Sequence, residues 1–326
     1  MSEPLVSVKM LTYNHAPYIA QAIEGVLMQK TTFPFELVIG EDCSTDGTRE
    51  IVFDYAKRYP DIIRVVTSEQ NVGAKKNSAR VNEVLRGKYI AWCEGDDYWH
   101  RDDKLQIQVD YLEKNLDYGV VCSDFDQYYV NTGKLIKDYL RTTKSNLSAC
   151  PTINDILSNR AGILTCTVLA RRDLVEKVIA SDDHLFKSDY FKMGDTQLWA
   201  EFSMVCKIHR LSETLATYQI LEESATQSRS PEKKLEFLIS NAEMCIYLCE
   251  KYKLPDAIRL PHESCFRRRC LRLAFLKKSP QLAQSVLEKY KTLSLKEWVW
   301  YWGATNSTLR WPVLLFLKVF MNNRYV

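Results

Sequence analysis

Apolar and polar residues follow two alternating periods along the first hundred positions of the chain. Four short runs of consecutive apolar residues predict strands, and the segments between them carry apolar residues at helical spacing. The four predicted strands are Leu5–Leu11, Phe35–Ile39, Ile62–Thr67 and Tyr89–Cys93. Because continuously apolar strands that alternate with helices are typical of a parallel sheet covered on both faces, we predict a Rossmann-like α/β fold with a mostly parallel central sheet and flanking helices.

Helical signals divide the rest of the chain. Helices between the strands are predicted to begin near Pro17, at Thr48 and at Ala74. Later elements are two helices and two strands, at Lys104–Asn115, Asp195–Cys206 (with Leu198, Phe202 and Val205 inward), Gly119–Ser123 and Ile163–Ala170. From Pro231 onward the pattern is helical and begins with a long amphipathic helix. We therefore predict an α/β domain at residues 1–230 and an α-helical extension at residues 231–326.

Polar side chains come directly after three of the predicted strands. The groups are Thr12-Tyr13-Asn14 after the first strand, Glu41-Asp42 after the second and Glu94-Gly95-Asp96-Asp97 after the fourth. Ligands of parallel α/β sheets bind at the carboxyl ends of the strands. The three groups therefore predict one binding site at that edge of the sheet.

Several nucleotide-dependent and metal-dependent enzyme classes lack their motifs here. No G-x-G-x-x-G follows the first strand, and no G-x-x-x-x-G-K-[ST] occurs. His262, Cys265 and Cys270 are close in sequence, but their spacing fits no common zinc pattern. These absences argue against a dinucleotide oxidoreductase, a P-loop ATPase and a zinc protein.

The segment Glu94-Gly95-Asp96-Asp97 places three carboxylates within four residues. Such carboxylates repel one another unless a cation or a ligand compensates their charge. Their oxygens suit Mg²⁺ or Mn²⁺, and such ions often hold a substrate diphosphate with few protein ligands. A solvated acidic turn is the alternative. Because the cluster ends an apolar strand and precedes Tyr98 and Trp99, we favour a metal–diphosphate site.

Four motifs in order along the chain resemble those of a family 2 inverting glycosyltransferase with the GT-A fold. They are Thr12-Tyr13-Asn14 at the nucleotide loop, Glu41-Asp42-Cys43-Ser44-Thr45-Asp46-Gly47-Thr48 for D-D-x-S-x-D-x-T, Asn71-Val72-Gly73 for N-x-G and Glu94-Gly95-Asp96 for the D-x-D metal motif. Gly194-Asp195 lies where that family carries its catalytic base. The resemblance covers roughly residues 4–225 and does not extend into the helical extension.

The resemblance implies a role for each matched residue. The nucleotide and the donor sugar would be held by Thr12, Tyr13, Asn14, Glu41, Asp42, Asn71, Lys76, Glu94 and Asp97. Asp96 would bind Mn²⁺ or Mg²⁺ across the diphosphate, and Asp195 would deprotonate the acceptor hydroxyl. Two residues keep a second interpretation: Trp99 stacks on the acceptor sugar or packs in the core, and Lys76 contacts phosphate or lies on a solvated helix face.

The predicted activity is metal-dependent, inverting transfer of a sugar from a nucleotide-sugar donor, most simply a UDP-sugar. The acceptor is a hydroxyl of a glycan or of a lipid-linked glycan, as in surface polysaccharide or lipopolysaccharide synthesis. Two alternatives remain at this stage. One is a sugar nucleotidyltransferase, which would normally open with a Gly-rich loop, and the other is a non-catalytic module that binds sugar nucleotides.

The composition and the charge distribution of the chain indicate where in the cell the protein works. Hydrophobic residues make up 46% of the chain, no apolar run reaches the length of a membrane span, and the ten Cys contain no C-x-x-C pair, which together favour a reducing cytosol. Lys251 to Val326 contains 15 Lys and Arg against four Asp and Glu, so this region carries +11 and the preceding 250 residues carry −8. Such a basic region favours an anionic partner, which can be membrane phospholipid, lipid-linked phosphate or nucleic acid. Of these, we expect no nucleic-acid partner.

Aromatic and basic residues cluster in the extension. The cluster comprises four Trp, a short apolar run and a basic stretch: Trp298, Trp300, Trp302, Trp311, Val313–Leu317, Arg267-Arg268-Arg269 and Arg272. Trp and basic residues beside a short apolar helix favour peripheral attachment to the cytoplasmic face of the cell membrane. The alternative is a helical bundle that buries the aromatic residues against the catalytic domain or a second copy of the chain.

Overall fold

The computed structural model describes residues 3–144, 147–222 and 230–309, together with residue 312. Two compact units divide the chain. The first consists of Met1–Ser188 and Gly194–Leu221, and the second consists of Asp189–Met193 and Glu222–Val326. A short segment from the middle of the sequence therefore belongs to the C-terminal unit.

A mixed β-sheet forms the centre of the first unit. Its strands are β1 (Val6–Thr12), β2 (Phe35–Glu41), β3 (Ile63–Val66), β4 (Tyr89–Trp92), β5 (Tyr98–Trp99), β6 (Tyr118–Tyr129), β7 (Lys134–Ile136), β8 (Leu169–Arg171) and β9 (Lys207–Ile220). Their order is β3-β2-β1-β4-β8-β6-β9-β5, and β7 pairs with β6 outside this path. Strands β3, β2, β1 and β4 are mutually parallel, β8 runs antiparallel to β4 and β6, and β6 and β9 are parallel. The predicted α/β fold is confirmed.

Helices connect the strands of this unit. They are α1 (Ile19–Leu27), α2 (Thr48–Arg58), α3 (Ala74–Asn82), α4 (Lys104–Lys114), α5 (Tyr139–Thr143), α6 (Ile153–Leu157), α7 (Arg172–Ser181), α8 (Asp183–Phe186) and α9 (Thr196–Val205), with a 3-10 turn at Thr165–Thr167. The first helix begins two residues after Pro17. The second begins at Thr48 as predicted, after Gly47, whose φ of 99° is a conformation that glycine adopts without steric strain.

The core of the first unit contains the apolar positions that predicted its strands and helices. Val8 and Met10 of β1 and Ile19, Ile23 and Val26 of α1 are all fully buried in one cluster. Burial of a side chain of this size contributes about 1.5–3 kcal/mol relative to leaving it in water. The packed core therefore fixes the end of β1, where the predicted binding residues begin.

Elements in the second half of this unit differ from the sequence prediction. Strand β6 was predicted at Gly119–Ser123 but continues to Tyr129, because its polar outer half pairs with β9. The strand predicted at Ile163–Ala170 divides into the 3-10 turn and β8. Val205, predicted to face inward, is 45% exposed because it is the last residue of α9.

Four helices make up most of the second unit as far as it is described: α10 (Pro231–Lys251), α11 (Asp256–Lys277), α12 (Pro280–Tyr290) and α13 (Leu295–Thr305). Ser230 caps α10 through the Lys233 amide, and a capping box of Ser294 and Glu297 begins α13. The predicted apolar stripe of α10 is largely buried, at Leu235, Ala242, Ile246 and Cys249. The predicted α-helical extension is thus present.

The segment Asp189–Met193 packs against α10. The Phe191 ring is 1% exposed and lies 5.8 Å from the Tyr247 ring, centroid to centroid. The Lys192 amide donates to Ser240 Oγ at 2.9 Å, and the Lys192 ammonium pairs with Glu236 Oε2 at 3.1 Å. Aromatic packing, a hydrogen bond and an ion pair therefore hold this segment in the helical unit.

The basic stretch predicted to face a membrane is largely used inside the helical unit. Arg267 Nε donates to Oε1 of buried Glu297 at 3.1 Å, and Arg269 donates to the Leu238 carbonyl at 2.8 Å. The Arg272 guanidinium lies 5.5 Å from the centre of the buried Trp300 ring. Arg268, by contrast, is exposed and contacts Ser264 and Cys265 of its own helix, so attachment of this stretch to a membrane stays a prediction.

The remaining features of the membrane prediction are the Trp311 region and the absence of a membrane-spanning helix. Trp311 and Val313–Leu317 lie outside the described residues. Within the described part of the chain, every helix is too short or too polar to cross a bilayer.

Candidate active site

The carboxyl ends of β1, β2 and β4 bring the predicted polar groups together. These strands are neighbours in the parallel part of the sheet. The Asp42 amide donates to the Thr12 carbonyl at 3.1 Å, and the Gly95 amide donates to the Leu11 carbonyl at 3.0 Å. The three predicted groups therefore line one edge of the sheet, as expected for an α/β ligand site.

Hydrogen bonds connect the loop after β1 to the loop after β2. The Asn14 amide donates to Ser44 Oγ at 3.0 Å, and Asn14 Oδ1 accepts from the Thr45 amide at 2.9 Å. Asn14 has a φ of 55°, a left-handed conformation that Asn tolerates better than most residues. The Asn14 side chain thus shapes the loop, whereas the Tyr13 ring beside it is 44% exposed and open to a ligand.

Glu41 does not face a ligand, in contrast to its predicted role. Its side chain is fully buried at the end of β2. One carboxylate oxygen accepts from the Ser44 amide at 2.6 Å, and the other accepts from Thr67 Oγ1 at 2.9 Å. Glu41 therefore orders the loop that follows β2, because both of its oxygens are engaged inside the protein.

Asp42 connects the end of β2 with the Asn71-Val72-Gly73 motif. Its two carboxylate oxygens accept hydrogen bonds from the Val72 and Gly73 amides, each at 2.9 Å. Asn71 Oδ1 accepts from the Gly73 amide at 3.0 Å, and Lys76 is exposed on the first turn of α3. Asp42 is 3% exposed, and its Oδ1 also lies 3.4 Å from the Arg80 guanidinium, so in this structure the motif is a turn held by Asp42.

Glu94 combines a raised pKa with a carboxylate oxygen that has no partner among the described residues. Its buried Oε2 has no hydrogen-bond partner among the described residues. Burial, then the charge of Asp96 and, less strongly, that of Asp195 raise the pKa of Glu94 to about 8. Buried Lys9 opposes these effects by its positive charge. An added cation would relieve this repulsion.

Asp96 and His15 face each other across Gly95. Asp96 Oδ2 lies 3.9 Å from His15 Nε2, and about a fifth of the Asp96 side chain is exposed. A Cβ placed on Gly95 would lie 2.6 Å from Thr12 Oγ1 and 3.0 Å from His15 Nδ1. Only glycine fits between Glu94 and Asp96 without displacing these side chains.

The Asp97 side chain accepts a hydrogen bond from strand β9. Its Oδ1 accepts from the Gln219 amide at 2.9 Å, and Gln219 Nε2 donates to the Asp96 carbonyl at 2.6 Å. Asp97 is 5% exposed, and burial followed by the charges of Asp96 and Glu94 raises its pKa well above the usual range. Asp97 is therefore a buried support of the acidic cluster.

Trp99 packs in the core and does not offer a face to an acceptor sugar, which corrects one of its two predicted roles. The ring is 1% exposed, and its indole N–H donates to the Cys166 carbonyl at 2.9 Å. The ammonium of fully buried Lys104 lies 4.2 Å from the ring centre and donates to Gln108 Oε1 at 2.6 Å. Burial lowers the pKa of Lys104 to about 7.

Asp195 is the N-cap residue that directly precedes α9. Its Oδ1 accepts from the Thr196 amide at 2.7 Å. The side chain is half-buried, and its charge acts on both Glu94 and Tyr218 by raising their pKa values. The structure therefore brings Asp195 within electrostatic reach of the acidic cluster, although 99 sequence positions separate it from Asp96.

The acidic cluster fits a divalent cation held together with a diphosphate. Carboxylate oxygens are ligands that Mg²⁺ and Mn²⁺ accept, and Glu94 Oε2 lacks a partner among the described residues. In residues 3–144, 147–222, 230–309 and 312, no three His, Cys, Asp or Glu side chains converge as a ready-made metal site. The protein would thus supply few ligands, which is usual when substrate phosphates supply the others.

Sequence analysis missed three residues that shape this site. Gln219 lies on a strand with no apolar run, and no local signal marked it. Lys9 interrupts the apolar strand β1, and this buried ammonium donates to Ser78 Oγ at 2.6 Å and Asn82 Oδ1 at 2.7 Å. His15 follows the Thr12-Tyr13-Asn14 motif directly, and its position beside that motif was the available signal.

Comparison with known proteins matches the N-terminal half of the chain to one family. The family model described as glycosyl transferase family 2 matches residues 7–179, more than half of the chain. The match contains the ends of β1, β2 and β4 and excludes Asp195 and the helical unit.

Two relatives illustrate how far this similarity extends. The uncharacterized protein Rv1520 of Mycobacterium tuberculosis is 42% identical over 110 residues, 34% of this chain and 32% of the relative, so the match spans about a third of that protein. The UDP-Glc:alpha-D-GlcNAc-diphosphoundecaprenol beta-1,3-glucosyltransferase WfgD of Escherichia coli is 27% identical over 219 residues, 66% of this chain and 80% of the relative.

A solved structure resembles the whole chain in fold. The crystal structure of S. aureus TarS 1-349 in complex with UDP-GlcNAc has a TM-score of 0.55 at 18% identity, and the match covers 98% of this chain and 93% of that chain. At this identity the likeness concerns the fold alone.

Proposed function

Because the chain belongs to glycosyl transferase family 2 and is a glycosyltransferase, we propose that it transfers a sugar from a UDP-sugar to a hydroxyl of a glycan or lipid-linked glycan. The observation that carries the proposal is the meeting of Thr12, Asp42 and the Glu94–Asp97 cluster at one sheet edge. Family membership also removes the nucleotidyltransferase alternative. WfgD, named for a UDP-Glc donor and a lipid-diphosphate acceptor, and TarS, crystallised with UDP-GlcNAc, support a uridine nucleotide.

In the proposed reaction, the residues of the sheet edge bind the donor and Asp195 acts on the acceptor. Tyr13 and Asp42 contact the nucleoside, and Glu94 and Asp96 face the diphosphate. A bound Mn²⁺ or Mg²⁺ would neutralise charge on the departing nucleoside diphosphate. Asp195 accepts the acceptor's hydroxyl proton while the acceptor oxygen bonds to the anomeric carbon. The bond from that carbon to the phosphate oxygen breaks, its electron pair leaves with UDP, and the anomeric configuration inverts.

A thermal-shift screen tests the donor class. The full chain is heated with UDP, GDP, UDP-Glc or UDP-GlcNAc, each with and without Mn²⁺. A ligand at 100 times its dissociation constant stabilises the folded state by about 2.7 kcal/mol. We expect stabilisation by uridine nucleotides that increases with Mn²⁺. Stabilisation by GDP alone contradicts the uridine donor, and an equal effect with and without the ion contradicts the metal role.

We further propose that the chain works at the cytoplasmic face of the cell membrane, beside a lipid-linked acceptor. Leu295 and Trp302 on α13 are 86% and 48% exposed, and Trp298 stacks on Trp302 at 5.5 Å. This apolar face of α13 supports an interfacial contact, because Trp and Leu enter the headgroup region. The contact rests on apolar residues, since Arg267, Arg269 and Arg272 are engaged within the helices.

A further inference from the structure

His15 and Asp96 present two potential metal ligands to the same point. The 3.9 Å between His15 Nε2 and Asp96 Oδ2 is too long for a hydrogen bond. Two neighbouring ligands of one octahedral ion with bonds of about 2.1 Å lie about 3 Å apart, so His15 and Asp96 reach that geometry if the two side chains approach each other by about 1 Å. About a fifth of each side chain is exposed, so both atoms are near the surface of the site and accessible from it.

Thr12 supplies a second, independent sign of a ligand at this place. Its side chain is 2% exposed, and Thr12 Oγ1 has no hydrogen-bond partner among the described residues. His15 Nδ1 is likewise buried without a partner there. Both atoms lie within 3.0 Å of the position that a Gly95 Cβ would occupy. The missing side chain at Gly95 therefore leaves Thr12 Oγ1 on the Nδ1 side of the imidazole and Asp96 on the Nε2 side.

This placement suits a metal-binding imidazole. A ligating His usually donates its other ring N–H to a nearby oxygen, which fixes the tautomer and leaves the lone pair on the nitrogen that faces the metal. Thr12 Oγ1 is an unpartnered buried oxygen near Nδ1, and accepting from Nδ1–H would leave the Nε2 lone pair towards Asp96.

Hydrogen bonds within the protein order the backbone of His15 in the absence of a ligand. The His15 amide donates to Thr48 Oγ1 at 2.8 Å, and the Ala16 amide donates to Asp46 Oδ2 at 3.0 Å. Asp46 Oδ1 accepts from the Thr48 hydroxyl at 2.6 Å, so the two residues that contact the loop of His15 are also hydrogen-bonded to each other. Because the loop is held in this way, presenting the ring costs little additional conformational entropy.

We propose that His15 Nε2 and Asp96 Oδ2 together bind the divalent cation that accompanies the donor diphosphate. This inference rests on the proposed nucleotide-sugar function. It adds a nitrogen ligand to an otherwise all-oxygen set. An imidazole ligand shifts selectivity from Mg²⁺ towards first-row transition ions. The chain therefore prefers Mn²⁺ to Mg²⁺ through His15.

Pulsed electron paramagnetic resonance of the full chain with Mn²⁺ and UDP tests the proposal directly. We expect ¹⁴N modulation from a directly bound imidazole in the wild type and its loss in His15→Ala. Affinity for Mn²⁺ in the presence of UDP, measured by titration calorimetry, should fall at least about 10-fold. His184→Ala is the matched control, because it removes an exposed imidazole on α8.

A second variant separates ligation from a structural role. His15→Asp restores an all-oxygen ligand set, so the ratio of Mn²⁺ to Mg²⁺ affinity should fall at least about 10-fold while Mg²⁺ binding persists. Absence of ¹⁴N modulation from a wild-type complex that does bind Mn²⁺ and UDP overturns the role of His15 alone. Failure of the wild type to bind Mn²⁺ with UDP overturns both this inference and the metal-dependent function. Unchanged modulation in His15→Ala also overturns the inference.

Discussion

The Gln219 amide donates to Oδ1 of buried Asp97 at 2.9 Å, although 122 positions separate the two residues in the chain. The Gln219 side chain continues this contact to the Asp96 carbonyl at 2.6 Å. The end of strand β9 therefore fixes the backbone of the acidic cluster. Since both donors come from a single residue, the position of Asp96 depends on a strand remote from it in sequence.

Gln219→Ala should weaken the binding of Mn²⁺ with UDP by about 5-fold. The substitution removes the donor to the Asp96 carbonyl and leaves the backbone donor to Asp97 in place, so a net loss of about 1 kcal/mol is expected at Asp96. Titration calorimetry measures the affinity. Gln219→Glu is the paired variant: it keeps the length, cannot donate, and should bind no better than Gln219→Ala. Wild-type affinity in both would show that this hydrogen bond is dispensable.

Gly95→Ala should disrupt the site, whereas Gly194→Ala should not. The added Cβ at Gly95 would lie 2.6 Å from Thr12 Oγ1 and 2.8 Å from Thr12 Cβ, but nothing lies within 4 Å of one at Gly194. Overpacking of this kind costs about 1–3 kcal/mol. Urea unfolding and the UDP thermal shift measure both effects. Equal stability and equal UDP binding in the two variants would contradict the close packing at Gly95.

Asp195→Asn should abolish transfer without affecting the fold. Asn can still accept from the Thr196 amide, but it cannot take a proton from the acceptor hydroxyl. We expect transfer to fall by about 10²-fold or more, with UDP affinity and melting temperature unchanged. UDP release in the presence of an acceptor measures the rate. A rate within a few-fold of the wild type would leave Asp195 as a helix cap only.

The stability difference between Lys104→Met and the wild type should depend on pH. Burial lowers the Lys104 pKa to about 7, below the value of 10.5 for the unfolded chain. Between these values the folded state binds fewer protons than the unfolded chain, so this group makes the wild type more stable as pH rises. The gain is about 2 kcal/mol from pH 7 to pH 9.

Met has no charge to bury, so its advantage over Lys104 should be largest at pH 7 and smaller at pH 9. Urea unfolding at pH 7, 8 and 9 gives the free energies of unfolding. Exposed Lys57→Met is the control and should show no such trend. A constant difference between Lys104→Met and the wild type would mean that Lys104 stays charged in the fold.

Leu295→Ser with Trp302→Ser should reduce vesicle binding by at least about 10-fold. The two exposed side chains form the apolar face of α13, and inserting each one contributes about 1.5–3 kcal/mol. Co-sedimentation with vesicles that contain anionic phospholipid measures the bound fraction. Leu116→Ser, at a 77% exposed position of the first unit, should bind as the wild type does. Equal binding by all three proteins would exclude α13 as the contact.

The sequence predicted the ends of β1, β2 and β4 well because each follows a local apolar run whose burial does not depend on distant partners. It failed for β9, whose polar residues gain a strand conformation only through pairing with β6. Local patterns also did not reveal the partner of Arg267, because buried Glu297 lies 30 positions away in the chain. Long-range pairing of polar groups is therefore what local patterns do not reveal.

The position of Asp189–Met193 within the helical unit limits which recombination junctions between family members can give a folded protein. A single recombination junction near residue 222 would replace α10 and leave Phe191 facing a Tyr247 position from another lineage. Lys192 would likewise lose its matched Ser240 and Glu236. Viable chimeras, natural or engineered, should therefore inherit this five-residue segment together with the helices, through an additional pair of junctions on either side of it.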